Sequence, residues 1–71
     1  MNQQSELEIR YKWLRTLIRE ARGITMIELQ RMGKLGFTSE NETFVLVKAL
    51  DLKFSSAEEI IEELLKEEGW A

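Results

Sequence analysis

The sequence predicts an all-α chain folded as a compact four-helix domain, with helices over about residues 6–22, 26–34, 40–52 and 56–68. Three observations predict it. The pattern Ser/Thr-x-x-Glu, whose first side chain accepts from an orphan helical N–H while the glutamate reaches back to the cap, occurs at Ser5/Glu8, Thr25/Glu28, Ser39/Glu42 and the overlapping Ser55/Glu58 and Ser56/Glu59. These sites are spaced as four helix starts. Glycines fall near the stops: Gly23 after the first segment, Gly33 and Gly36 around the end of the second, Gly69 after the last. Proline, the residue that breaks helix interiors, is absent.

The first segment, 6–22, carries Leu7, Tyr11, Leu14, Leu17, Ile18 and Ala21 at the three-and-four spacing of an amphipathic helix. In 26–34, Ile24 precedes the Thr25 cap and Leu29 takes the fourth helical position, the arrangement of a hydrophobic staple. The last segment, 56–68, sets Ala57, Ile60, Ile61, Leu64 and Leu65 on one stripe, with six glutamates around the remainder. Residues 43–54 read two ways. As a helix they are apolar nearly all round, which suits only an enclosed helix. As a strand, Phe44, Leu46, Leu50, Leu52 and Phe54 alternate, with Lys48 the exception, and Phe37-Thr38 would face Thr43-Phe44 across a Ser39–Glu42 turn. The consistent capping pattern favours the helix. The alternative is an α+β fold with a central β-hairpin or three-stranded meander between two terminal helices.

Seventy-one residues suffice for one domain, 1–71, burying roughly 60% of the unfolded chain's surface. Neither cysteine nor histidine is present, so disulfides and the usual zinc ligands are excluded and the cysteine-free chain fits a reducing, cytoplasmic compartment. The longest apolar run, Phe44 to Val47, is far short of a membrane span, and the polar start Met1 to Ser5 is unlike a leader, so the chain reads as soluble and unprocessed. Missing Pro, Cys and His beside abundant Glu, Lys and Leu is the composition of a thermostable protein or a computationally designed one.

Catalysis has little to start from. The serines sit at proposed caps, the four glycines form no phosphate-cradling loop, and the acids lack the loop spacing of a calcium site. The sequence predicts no enzyme, no metal, no cofactor and no small-molecule substrate. Its informative feature is charge asymmetry: residues 1–37 hold seven Lys/Arg against four Glu, and residues 38–71 three Lys against nine Asp/Glu. Lys12, Arg15, Arg19 and Arg22 follow a 3-4-3 spacing that places them on one helical stripe. Glu8 can pair with Lys12, but the three arginines have no acid three or four residues away. Their candidate partners are solvent and the helix dipole, the acids of the last segment with Glu67 and Glu68 foremost, or an external anion such as nucleic acid. The negative net charge disfavours nucleic acid, which would be held weakly and through phosphates.

Ile9 and Trp13, off the main apolar face of the first segment, form a side ridge with Leu17, and Trp70 stands near the end of the chain. Such a patch beside arginines has the composition of a protein interface or of a self-association surface. The expected function is a non-catalytic helical module for protein–protein interaction, or a plain scaffold if the chain is designed.

Two stretches resemble known modules. Thr25-x-x-Glu28-Leu29 leading to Gly36-Phe37 resembles the opening of SAP-type DNA-binding domains, without their glycine and lysine before the second helix. Gly36-Phe37, Ala49-Leu50, Ala57 and Leu64-Leu65 are similar in kind to landmarks of ubiquitin-associated three-helix domains, at different spacings. No binding residue carries over from either.

Overall fold

Two 3-4 repeats run the length of this chain. In the first half, Tyr11, Arg15, Ile18, Arg22, Thr25, Leu29 and Met32 recur at alternating steps of four and three; in the second, Phe44, Val47, Asp51, Phe54, Glu58, Ile61 and Leu65 do the same. An average step of 3.5 residues keeps one stripe of a helix facing a partner helix over many turns. The computed structural model, which describes residues 3–71 and the side chains from residue 6 onward, realises both repeats as two helices, α1 (Gln3–Lys34) and α2 (Glu42–Glu67), paired as a helical hairpin. Every residue of the two repeats is buried or half-buried.

The hairpin is long and thin. It measures 52 × 16 × 15 Å, close to the ~48 Å of a 32-residue helix in its long dimension. Its radius of gyration is 15.8 Å, where a compact globule of this length has about 11 Å.

Both helices end the same way. Gly36 (φ +90°) and Gly69 (φ +78°) take the left-handed conformation that a side chain resists. At the first stop Phe37 N–H donates to Met32 C=O and Gly36 N–H to Gly33 C=O; at the second Trp70 N–H donates to Leu65 C=O and Gly69 N–H to Lys66 C=O. This is the Schellman pattern, which satisfies the last carbonyls and folds the next residue back on the helix. α2 starts at Asn41, whose side-chain oxygen accepts from Phe44 N–H at 2.9 Å.

The expected four-helix domain does not form. α1 continues through Gly23, Ile24 and Thr25, so the segments 6–22 and 26–34 are one helix; α2 continues through Ser55 and Ser56, so 40–52 and 56–68 are another. At Thr25 the reason lies with the hydroxyl. Thr25 is only 5% exposed, and its hydroxyl sits 2.9 Å from the Arg22 carbonyl and 2.6 Å from Asp51 Oδ1. A mid-helix Thr satisfies itself by bonding back along the helix, so Ser/Thr-x-x-Glu does not require a helix start. The Ile24–Leu29 staple falls inside α1, and the Ser39 cap moves two residues on, to Asn41. The Ser5 cap concerns a side chain outside the described ones, though the backbone there is already in α1. Gly23 and Gly33 are helical, a cost of about 1 kcal/mol each that the paired seam outweighs.

The β alternative fails as well. Residues 43–54 lie wholly within α2, and no strand occurs among the described residues. Phe44, Val47, Asp51 and Phe54 satisfy a helical repeat across the stretch that also alternates, and Lys48 marks where alternation breaks. With α2 unbroken from Glu42 to Glu67, neither the SAP-type opening nor a three-helix ubiquitin-associated arrangement fits.

Two helices enclose little. Among the described residues only Met32, Ile61 and Leu65 are buried apolar side chains. The accessible surface is 5604 Å², where area scaling gives about 4600 Å² for a compact protein of 8.4 kDa. The excess is about 1000 Å².

Candidate interaction surfaces

The seam is polar through its middle. Arg15, Arg22 and Thr25 on α1 and Asp51 and Glu58 on α2 occupy positions that a coiled coil usually gives to apolar residues. Arg22 Nη1 donates to Glu58 Oε1 at 2.7 Å and Arg19 Nε to Glu58 Oε2 at 3.0 Å. Arg19 also donates to Glu62, and Arg15 Nη1 stands 3.8 Å from Glu62 Oε2. Hydrogen bonds from Arg22, and next from Arg19, hold the Glu58 carboxyl below the usual carboxylate range. Arg22 Nε is enclosed without a partner. Elsewhere on α1, Lys12 pairs with Glu8 and Arg31 with Glu28, whose carboxyl that guanidinium likewise holds low.

These pairs set the register. As α1 advances four residues from Arg15 to Arg19, the partner on α2 retreats four, from Glu62 to Glu58. Leu14 then stands across from Leu64, Leu17 from Ile60 and Ala21 from Ala57. They also set the sides. Arg19 follows the seam residue Ile18, and Glu62 follows Ile61, so the flank made by residues just after those positions carries the ion pairs. The opposite flank is made by residues just before Arg15, Arg22, Glu58 and Leu65, namely Leu14, Ala21, Ala57 and Leu64.

That opposite flank is an apolar face shared by both helices. Leu14 is 47% and Ile60 59% exposed, and Leu7, Leu17, Leu50 and Leu64 are exposed beside them. Ala21 and Ala57 lie half-buried at its middle. Sixteen large apolar side chains are exposed among the described residues, against the three that are buried. The stretch 43–54, which as a helix demands enclosure, leaves Val45, Leu46, Leu50 and Leu52 exposed.

The expected interface residues divide. Ile9 and Trp13 are both exposed and line a shallow groove with Lys12 and Thr16. Leu17 is turned toward the Leu14 side. Trp70 is half-buried and meets Tyr11 edge-on, with ring centroids 5.5 Å apart, closing the end of the hairpin. The basic stripe is paired within the chain: Lys12 with Glu8, and Arg15, Arg19 and Arg22 with Glu58 and Glu62 rather than with Glu67 and Glu68.

Sequence reasoning put Leu7, Leu14, Ile60 and Leu64 in a core and missed Thr25 and Asp51 as cross-helix partners. The signal was the unbroken 3-4 repeat with its polar members included. It puts the pairing stripe on Arg15 and Arg22, and so turns the leucines aside.

Among the described residues no helix is long and apolar enough to cross a membrane, and no group of three or more His, Cys, Asp or Glu is placed to hold a metal ion. No family model, curated protein or solved structure matches this chain.

Proposed function

We propose that this chain is a non-catalytic association module, a helical hairpin that offers an apolar face to another polypeptide. The observation that carries the reading is the two-helix face of Leu7, Leu14, Leu17, Leu50, Ile60 and Leu64, left open while the seam encloses so little. Monomeric proteins rarely expose apolar patches of more than a few hundred Å², and larger ones mark interaction sites. Extended and apolar, the face suits helices, which bury such stripes against one another. The arginine stripe supports no second reading, because its guanidinium groups already face carboxylates of α2.

Site-specific photocrosslinking tests it. A photoreactive side chain at Leu17 or Ile60 is expected to trap polypeptide, including a further copy of this chain, in at least about tenfold higher yield than at Glu59 or Glu63 on the outer side of α2. Equal yields at the two sets of positions would refute the reading.

A further inference from the structure

We infer that the occupant of the apolar face is a second copy of this chain, so that two hairpins pack into a four-helix bundle built of two chains. The inference rests on the association reading above and names its partner.

Area is the first argument. The excess accessible surface, about 1000 Å² per chain, is close to the ~800 Å² that each partner contributes to a standard stable interface. The face is also self-complementary in shape. In the hairpin's own register Leu14 of one copy meets Leu64 of the other and Ala21 meets Ala57, so a bulky layer alternates with a small one at which the two hairpins approach closely. A two-fold axis parallel to the helices lays α1 of each hairpin against α2 of the other, antiparallel, in the hairpin's own register. Such an interface closes on itself.

Charge agrees with that placement. Arg10 and Glu67 edge the face at its terminal end, and Glu28 and Lys53 edge it nearer the turn. Laying α1 on α2 of the other copy brings Arg10, which also bonds Glu6 of its own helix, level with Glu67, and sets Glu28, held by Arg31, about one turn from Lys53, so that no like charges face each other at either end. The apolar residues crowd toward the terminal half, so hairpins aligned with their turns at the same end overlap them fully; opposed turns would slide Leu7 and Leu14 toward the charged Glu28 region. Need completes the argument. A chain of this size with three buried apolar side chains among its described residues falls in the range where small proteins depend on oligomerisation.

The test uses the full chain in light scattering, with circular dichroism on the same samples. The expected mass is twice 8.4 kDa for the parent and for Trp13→Ser, which lies off the face, while Leu17→Glu with Ile60→Glu weakens the dimer more than about 100-fold. Because that double variant can lose its fold with its partner, a second measurement leaves folding intact. The chain has no cysteine, so Leu17→Cys chains mixed with Ile60→Cys chains are expected to form the mixed disulfide in preference to either homodimer. A helical parent of single-chain mass overturns the inference, as does a dimer that survives both glutamates, or disulfides formed at random. A monomeric parent that still crosslinks another polypeptide at Leu17 and Ile60 would overturn self-association and leave the association reading standing; a monomer with no crosslinks would remove both.

Discussion

Thr25→Val isolates the cross-helix hydrogen bond that a neutral side chain makes in the middle of the seam. Valine keeps the bulk of threonine and removes the hydroxyl that lies 2.6 Å from Asp51 Oδ1. The carboxylate then loses its donor in a half-buried position. Hydrogen bonds to charged groups contribute about 1.5–3 kcal/mol, and since water can reach part of Asp51 the expected loss is about 1–2 kcal/mol. For a chain of this length that lowers the melting midpoint by about 5–12 °C. Asp51→Leu behaves differently: Thr25 keeps the Arg22 carbonyl at 2.9 Å, no buried donor is stranded, and an apolar side chain joins the seam. Stability is expected to hold or rise. When Asp51→Leu is already present, Thr25→Val should cost nothing, so the double-mutant cycle yields a coupling of about 1–2 kcal/mol. Urea unfolding followed by circular dichroism, at one fixed chain concentration because association adds to stability, measures all four corners. A Thr25→Val chain within about 0.3 kcal/mol of the parent, or the same cost with and without Asp51→Leu, would refute the reasoning.

Two further outcomes follow from the glycines and the ion pairs. Gly23 is helical with nothing within 4 Å of an added Cβ, so Gly23→Ala is expected to stabilise by about 0.5–1 kcal/mol, while Gly36→Ala at φ +90° destabilises by about 1–2 kcal/mol; thermal melts compare the two, and like signs would contradict the assigned conformations. Glu58 has a depressed folded value, so its contribution is complete above the ordinary glutamate value of about 4.3 and is lost as pH falls through the lower folded value. NMR titration of its carboxyl carbon should show that low midpoint, and Arg22→Gln, which removes the larger cause, should raise it; an unmoved midpoint would exclude the Arg22 hydrogen bond as the cause.

Much of the local structure was legible in the letters. Leu35-Gly36-Phe37 and Glu68-Gly69-Trp70 mark the two real stops, because only a residue free of a side chain enters the left-handed conformation without strain. Helix over 43–54 was the favoured reading and is what forms. Gly23 and the hydroxyls of Thr25, Ser55 and Ser56 were misleading as punctuation, since each is tolerated inside a long helix when tertiary pairing supplies more than the local cost. The basic stripe was visible in the sequence, and so was its need for a partner.

The sequence by itself determined helix over most of the chain, the lack of cysteine and histidine, and the opposition of a basic first half to an acidic second, while 43–54 stood open between helix and strand. Only the tertiary structure decided that two long helices, not four short ones, carry those residues, that Glu58 and Glu62 receive the arginines, and which leucines face outward. The physical reason is that periodicity is a property of one helix, whereas the choice of seam is a property of two. Leu14 and Arg15 are one residue, about 100° of helical turn, apart. Propensity and hydrophobicity favour Leu14 for the inside, but Arg15 shares the stripe of Tyr11, Ile18, Leu29 and Met32 and is carried into the seam with them, within 3.8 Å of Glu62 Oε2. That exchange leaves a row of leucines outside, and so creates the surface on which function is proposed to depend.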